Sequence, residues 1–257
     1  MLSRAFSVVI PVKFAHPYIE KTLDSIIIQS DLIEEVLIVS DNAKDEVIKR
    51  YKTYLNISLL SNRYKVVYSD GKGPGSARDF GARLSKSKYI AFIDSDDIWP
   101  ASYLSNRLQH LIKSKYLFTA SPYDHVDDKL RKLPMNFKCK NRLTSKDFIL
   151  LNPIGNSTVI VDRIFFIESG GYSKLKKRND YATWMRLVKR ECCNYIKDIE
   201  PVVIIRREGA LSKSKFKLLK YQFLAYKEAN YNNISAFIFC TMSSFMGAIK
   251  YFIRGGK

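Results

Sequence analysis

The first hundred residues alternate between short apolar runs and amphipathic segments, and this alternation limits the possible folds most strongly. Four apolar runs rich in β-branched residues predict strands at 7–11, 36–39, 65–68 and 89–93. The segments between them carry apolar residues at helical spacing and predict helices at 17–29, 45–55 and 75–85. Strands and helices in alternation form a parallel sheet with right-handed crossovers. We therefore predict an α/β protein with a mostly parallel sheet flanked by helices.

The second half of the chain is less regular. Helices are predicted at 101–113, 145–151 and 180–190, and a further helix runs from an Asp162 cap to about Glu168. Strands are predicted at 116–120 and 157–161, around Ile196 and at 202–205. The chain is expected to be helical after Lys213. We predict one domain over 1–212, with halves at 1–100 and 101–212, and a helical tail over 213–257.

Ligands of parallel sheets bind at the carboxyl ends of the strands, and polar segments follow each strand here. Asp41 ends the second strand, where an acidic residue can accept hydrogen bonds from a ribose or a base; a plain helix cap is the simpler explanation. A glycine-rich loop over 70–75 follows the third strand. Pro74 suits a first helical turn, and Arg78 lies one turn further, so the loop favours an anion. The lysine-bearing P-loop pattern is absent, which disfavours an NTPase.

Three carboxylates crowd the end of the fourth strand in the segment Asp94-Ser95-Asp96-Asp97. Such side chains repel one another unless a cation neutralises them. Oxygen ligands suit Mg²⁺ or Mn²⁺, and such a cation would bridge to the phosphate oxygens of a nucleotide. Taken alone, the segment is more simply explained as a solvated acidic turn at the start of the next helix.

Four segments occur in order, and together they resemble the family 2 glycosyltransferases of the GT-A fold: Ser7–Val12, Leu37–Asp41, Gly75–Gly81 and Tyr89–Trp99. The resemblance implies a Rossmann-like sheet and an inverting enzyme that uses a nucleotide sugar. It assigns Asp41 to the nucleoside, Arg78 to the diphosphate, and Mg²⁺ or Mn²⁺ to Asp96 with Asp94. The implied donor-binding residues are Pro11, Val12, Asp41, Arg78, Asp94, Ser95 and Asp96.

The resemblance continues more thinly to about residue 212. Arg178–Leu187 is similar to the family's stretch around the general base, which implies that Asp180 removes the proton of the acceptor hydroxyl. From its residues alone, Asp180 is an acid in a first helical turn.

Three positions depart from the family pattern. Lys13 stands where an aromatic or polar residue often lies beside the base ring, and Asn179 replaces a glutamate. The closing segment Ile204–Ser212 lacks a frequent histidine, although Arg206 or Arg207 would be placed to hold diphosphate.

Basic residues outnumber acidic ones by 43 to 25, a net charge of +18. Half of that excess lies in residues 174–220, which hold 14 basic and 5 acidic residues. Such a chain favours anionic partners: nucleic acid, an acidic membrane surface, or phosphate-bearing substrates. No recognised nucleic-acid module is present, so we predict no nucleic-acid partner.

Residues 234–253 form a stretch of 20 with a single charge, Lys250, diluted by hydroxyl side chains. We interpret it as an interfacial or re-entrant helix at an anionic membrane; a core or dimer helix and a spanning helix are the alternatives. The segment 1–7 is too short for a signal peptide, and the cysteines show no paired spacing. We therefore expect a cytoplasmic protein, peripheral on the inner face of the cell membrane.

The activity that follows is transfer of a sugar from a nucleotide-sugar donor, such as a UDP-sugar, to a saccharide or lipid-diphosphate-linked saccharide in surface-polysaccharide assembly. One alternative is a nucleotidyltransferase on a similar sheet, which would need a glycine-rich signature after the first strand. A second is a membrane-associated scaffold without transfer activity, against which the intact acidic residues argue.

Overall fold

The computed structural model describes residues 4–113, 116–134, 139–206 and 215–253; for 215–217 and 246–253 it describes the backbone alone. Within these residues the chain forms one eight-stranded sheet and one two-stranded sheet, with helices on both faces of the larger one.

The first half has the predicted alternation, with element ends shifted by at most three residues. Its elements are β1 Phe6–Val12, α1 Ile19–Ile27, β2 Ile33–Ser40, α2 Asp45–Asn56, β3 Tyr64–Tyr68, α3 Pro74–Leu84 and β4 Tyr89–Phe92. Every residue of β1 and β4 is buried, as expected for strands covered on both faces. The apolar runs predicted this half correctly because each of its strands, with four to eight residues, is long enough to contain a recognisable apolar run.

The secondary structure of the second half differs from the prediction at several elements. Its elements are α4 Tyr103–Lys113, β5 Phe118–Ala120, β6 Tyr123–Val126, β7 Arg142–Leu143, β8 Ile160–Asp162, α5 Arg163–Glu168, α6 Asn179–Arg190, β9 Cys193–Tyr195, β10 Val202–Ile205, α7 Lys215–Glu228 and α8 Asn233–Ile253. The helix predicted at 145–151 is a single 3₁₀ turn, Ser145–Phe148, and the strand predicted at 157–161 begins as another, Asn156–Thr158. A two-residue strand such as β7 is too short to show an alternating pattern of apolar and polar residues in the sequence. It can be recognised only from its pairing with β9 in the folded chain.

The larger sheet has the order β3-β2-β1-β4-β8-β5-β9-β7. Its first four strands are parallel, which confirms the predicted topology of the first half. β8 is antiparallel to both β4 and β5, so the second half is mixed. β6 and β10 form the separate parallel pair, which is tied to the main body by a bridge between Ile98 and Val203.

The sheet separates two hydrophobic cores. Val8 and Ile10 of β1 face the core formed with α1, α2 and α4. Val9 faces the other core, which contains residues of α3, α5, α6, α7 and α8. This alternation follows from the two-residue period of a strand and places α6 on the same face as α3.

The predicted helical tail is packed onto the protein over much of its length. Tyr226 of α7 and Ala236 and Cys240 of α8 belong to the core that also holds α6. One face of α8 is therefore a core face, in agreement with one of the two alternatives considered for this segment. Over the ranges that the structure describes, none of the helices has the length and apolar character needed to cross a membrane.

Asp162 caps α5 as predicted, since its carboxylate accepts a hydrogen bond from the backbone N–H of Phe165 at 3.0 Å. Asp162→Ala should lower the free energy of unfolding by about 1 kcal/mol, because one N–H of the first turn loses its partner. Asp162→Ser should retain most of the stability, since serine also caps. Urea denaturation compares the three proteins, and equal stability of the alanine and serine variants would contradict the assignment.

Candidate active site

The carboxyl ends of β1, β2 and β4 meet at one cavity of about 250 Å³. The backbone N–H of Asp41 donates to Val12 O at 2.8 Å, and that of Ile93 donates to Val9 O at 3.2 Å. The first bond aligns the ends of β1 and β2, and the second fixes the end of β4 beside Val9, within β1. The cavity is lined by Pro11, Val12, Lys13, Phe14, His16, Asp41, Pro74, Arg78, Asp94, Ser95 and Asp96. All seven residues that sequence analysis assigned to the donor thus surround one space.

Asp41 and Lys13 form one wall of the cavity. Asp41 is buried, and its Oδ1 accepts a hydrogen bond from the N–H of Gly73 at 3.0 Å. Its Oδ2 has no hydrogen-bond partner among the described residues and lies 3.7 Å from Lys13 Nζ. The Lys13 side chain is half-exposed and also lies over the ring of Phe14. This wall offers a hydrogen-bond acceptor and a cation side by side.

The glycine-rich loop leads into α3 and lies against the start of α6. Gly73 has φ +111°, a backbone conformation that side chains rarely adopt, and Pro74 is the first residue of the helix. A Cβ on Gly75 would lie 2.5 Å from the carbonyl oxygen of Ser173. Glycine at this position therefore lets the first turn of α3 approach the segment that precedes α6.

Arg78 and Asp94 form an ion pair at the base of the cavity. Asp94 Oδ1 also accepts a hydrogen bond from Asn156 Nδ2 at 3.0 Å, and the Tyr172 hydroxyl donates to Asn156 Oδ1 at 2.6 Å. The Tyr172 ring in turn lies 5.3 Å from the Arg78 guanidinium. Burial lowers the pKa of Arg78, but the charge and hydrogen bond of Asp94, with the charges of Tyr172 and Asp180, together outweigh burial, so the pKa is raised. Arg78 and Asp94, assigned separately to phosphate and cation, are thus partners.

Asp97 lies behind the cavity and is buried. Burial, followed by the charges of Asp94 and Asp96, raises its pKa well above the ordinary value. Its carboxyl group accepts hydrogen bonds from the Ser157 hydroxyl and from the N–H of Ile205. The negative charges of Asp94 and Asp96 therefore disfavour ionisation of Asp97.

The residues at this strand end could bind a divalent cation only together with a ligand that supplies further oxygen atoms. Among the side chains that the structure describes, no group of three or more His, Cys, Asp or Glu is arranged to hold a metal. Mg²⁺ is commonly bound by one or two carboxylates together with substrate phosphates and water, and carboxylates of Asp94 and Asp96 line the cavity. The donor set agrees with that mode of binding.

Asp180 lies in the first turn of α6, next to this cavity but not in its wall. Asn152 Nδ2 donates to Asp180 Oδ2 at 2.9 Å, which orients the carboxylate. Asn179 Oδ1 accepts from the N–H of Asp180 at 2.8 Å. The charge of Asp180 contributes to raising the pKa of both Arg78 and Tyr172, so it acts within the same electrostatic environment.

Sequence analysis assigned no role to Asn152 and no individual role to Asn156 or Tyr172, which lie in segments that resemble the acceptor side of the family; all three contact or support acidic residues of the site. Asparagine and tyrosine in irregular segments carry no periodic signal, so only the folded chain identifies their partners. At the closing segment, Arg206 Nη2 lies 2.9 Å from His125 Nε2. Arg207 lies outside the described residues.

Comparison with known proteins shows one family. Residues 7–191 match the model described as Glycosyl transferase family 2. The putative teichuronic acid biosynthesis glycosyltransferase TuaG of Bacillus subtilis is 26% identical over 251 residues, covering 95% of this chain and 96% of that protein. The UDP-Glc:α-D-GlcNAc-diphosphoundecaprenol β-1,3-glucosyltransferase WfgD of Escherichia coli is 26% identical over 225 residues, covering 84% of this chain and 83% of that one.

Among solved structures, a fragment of S. aureus TarS in complex with UDP-GlcNAc superposes with a TM-score of 0.71. It is 18% identical, and the match covers 93% of this chain and 71% of that one. This likeness concerns the fold, which is an α/β arrangement with a mixed, mostly parallel sheet flanked by helices.

The Arg78–Asp94 pair should matter for stability before any ligand binds. Arg78→Met leaves a part-buried carboxylate without its cation and should lower the free energy of unfolding by about 1–3 kcal/mol. Lys72→Met is the matched control, because Lys72 pairs with Asp70 at an exposed position and such pairs contribute about 0–1 kcal/mol. Urea denaturation of the apo proteins measures both, and equal losses would show that the Arg78 pair is not a structural interaction.

Proposed function

The chain belongs to glycosyl transferase family 2 and is a glycosyltransferase, and from this premise we propose that it transfers a hexose from a UDP-sugar to a saccharide carried on a lipid diphosphate. The product would enter a bacterial surface polysaccharide. Two relatives of the chain are named as UDP-glucose-dependent transferases acting on diphosphoundecaprenol-linked GlcNAc, and a third is named for teichuronic acid biosynthesis. The match over nearly the full length of TuaG supports this assignment.

The observation that carries the proposal is the cavity at the ends of β1, β2 and β4. Its Asp41 wall offers a carboxylate oxygen without a hydrogen-bond partner among the described residues, suited to a donor N–H or hydroxyl of a nucleoside. Arg78 and the aspartates Asp94 and Asp96 line the same space. A nucleoside diphosphate needs groups of both kinds, so we place its nucleoside against Asp41 and its diphosphate towards Arg78 and the acidic pair.

The charge balance of the cavity explains why a cation would be required. Lys13 lies beside Asp41, and Arg78 is paired with Asp94, so the cations in the wall already face carboxylates. A diphosphate would add negative charge next to Asp96. Mg²⁺ or Mn²⁺ held by Asp96 and Asp94 would supply the positive charge that stabilises the leaving diphosphate.

We assign the role of general base to Asp180. In the proposed reaction an acceptor hydroxyl attacks the anomeric carbon, its proton passes to the Asp180 carboxylate, and the bond from that carbon to the diphosphate oxygen breaks. A single displacement of this kind inverts the anomeric configuration. The hydrogen bond from Asn152 holds one carboxylate oxygen and thereby orients the other. A lipid-linked acceptor would bring the protein to the inner face of the cell membrane.

Asp96→Asn should abolish transfer and the metal-dependent part of UDP binding, because it removes a charged oxygen ligand. UDP affinity is measured by calorimetry with and without Mg²⁺ or Mn²⁺, and turnover is measured with the UDP-sugar donor. Asp31→Asn, at an exposed position in the 3₁₀ turn Ser30–Leu32, is the matched control. Full activity of Asp96→Asn, or full activity of the unchanged protein in excess chelator, would contradict the assignment of a metal to Asp96.

Asp180→Asn should lower turnover by about 10²–10⁴-fold, which is the usual contribution of a general base. UDP affinity should stay within about twofold, since Asp180 does not line the donor cavity. Asp198→Asn, at an exposed position after β9, serves as the control. Steady-state kinetics and calorimetry together test the assignment: a large loss of UDP affinity in Asp180→Asn would move this residue from catalysis to donor binding.

A further inference from the structure

α8 exposes large apolar side chains along one face. Those of Ile234, Phe237, Ile238, Met242 and Phe245 are each 46–74% exposed. The opposite face, which includes Ala236 and Cys240, is buried in the core. The exposed positions follow helical spacing, so they form one continuous stripe, about 18 Å long at 1.5 Å per residue. We call this set the α8 stripe.

Cationic side chains lie at the beginning of the α8 stripe. Lys189 Nζ donates to the carbonyl oxygens of Ala229 and Asn230, in the turn just before α8, and lies 4.2 Å from the Tyr231 ring centroid. Arg190 Nη1 donates to the carbonyl oxygen of Glu168 at 2.7 Å. In the part of the chain that the structure describes, no ion pair joins either cation to a carboxylate.

Lys189 and Arg190 also line a second cavity, of about 290 Å³, together with Ser169 and Arg186. Ser169 is buried, and neither its hydroxyl nor Arg186 Nε has a hydrogen-bond partner among the described residues. Acidic groups at this edge are Glu168, which lines the cavity, and Glu228, which lies 3.6 Å from Arg186. Unused donors and two cations without carboxylate partners make this edge complementary to phosphate groups.

We propose that the α8 stripe and the cations Lys189 and Arg190 form one surface that binds a bilayer containing anionic phospholipids. The apolar side chains enter the acyl boundary, and the cations lie at the level of the lipid phosphates. Apolar burial with adjacent basic charge is the arrangement that such a surface recognises. This inference rests on the proposed lipid-linked acceptor and adds the surface by which the protein meets the membrane.

The position of α8 connects this surface to the catalytic site. The Ser243 hydroxyl donates to the carbonyl oxygen of Leu150 at 3.1 Å. Two residues further along the chain, Asn152 holds the Asp180 carboxylate. Ser243 lies on the face of α8 opposite the stripe, so α8 would lie between a membrane bound along the stripe and the segment that holds Asp180.

Co-sedimentation of the full chain with vesicles of phosphatidylcholine, with or without phosphatidylglycerol, tests the surface. Phe237→Ser with Phe245→Ser should weaken binding to anionic vesicles by roughly a hundredfold, through lost apolar burial. The matched control is Ile57→Ser with Leu59→Ser, which changes two exposed apolar residues in the turn after α2. α2 packs on the opposite core, so this control should bind vesicles like the unchanged protein.

Lys189→Gln with Arg190→Gln should weaken binding to anionic vesicles by roughly thirtyfold and leave the weaker binding to neutral vesicles unchanged. Lys189→Arg with Arg190→Lys keeps the charges and should restore binding. Raising the salt concentration should weaken binding of the unchanged protein and have less effect on the glutamine variant, because salt screens the charge contribution.

Several outcomes would overturn the proposal. One is vesicle binding by the phenylalanine variant equal to that of its control. Another is a change of oligomeric state by light scattering with unchanged vesicle binding, which would assign the stripe to a second copy of the chain. A third concerns inorganic phosphate. If phosphate stabilises the unchanged protein against unfolding but not the Lys189→Gln, Arg190→Gln variant, and both bind vesicles equally, the cations bind a soluble anion instead.

The activity of the same variants separates this proposal from the proposed function. Transfer to a short saccharide diphosphate without a lipid chain should persist in all of them, since none of the changed residues lines the donor cavity. Transfer to the lipid-linked acceptor in vesicles should fall with vesicle binding. If the unchanged protein transfers sugar to neither acceptor, the proposed function is wrong. The vesicle-binding measurements would still show whether the α8 stripe binds a membrane.

Discussion

Parallel pairing of β1 with both β2 and β4 is the constraint on which the site depends. Val12 lies opposite Ser40, so β1 and β2 end at the same level, whereas Phe92, the last residue of β4, lies opposite Val9. Asp41 follows β2 directly, Asp94 follows β4 after one residue, and both line the same cavity. A shift of one residue would turn the side chains of β1 to the opposite core. The burial of β1 on both faces therefore protects the geometry of the cavity as well as the stability of the fold.

The charges of the cavity are matched locally even though the chain as a whole carries +18. Arg78 is buried beside Asp94, and Lys13 lies beside Asp41. A buried charge without a partner is unfavourable, so such pairing is expected in a site that must fold before its ligand arrives. The excess positive charge lies elsewhere, in part on the last turn of α6, where Lys189 and Arg190 meet the beginning of α8.

α6 connects these two regions. Its first turn carries Asp180 beside the donor cavity, and its last turn carries the cations of the proposed lipid surface. Twelve helical residues separate the two ends by roughly 18 Å. Tyr181 of α6 and Tyr226 of α7 both donate hydrogen bonds to carbonyl oxygens of the segment that leads to Asn152. The helices α6, α7 and α8 thus form one packed unit that connects Asp180 with the proposed lipid surface.

The sequence by itself determined the first half of the fold, because apolar strand runs and amphipathic helices leave patterns that can be recognised locally. It also placed Asp41, Arg78, Asp94 and Asp96 at one edge of a sheet, since each follows a strand of a parallel set. Only the tertiary structure decided the partners, which are Arg78 with Asp94 and Asn152 with Asp180. It also decided which face of α8 packs on the core and which face stays exposed. These contacts join residues that are far apart in the chain. Arg78 and Asp94 are 16 positions apart, Asn152 and Asp180 are 28 apart, and Ser243 and Leu150 are 93 apart. Local patterns carry no information on such pairs, because their energy exists only once the two segments have been brought together.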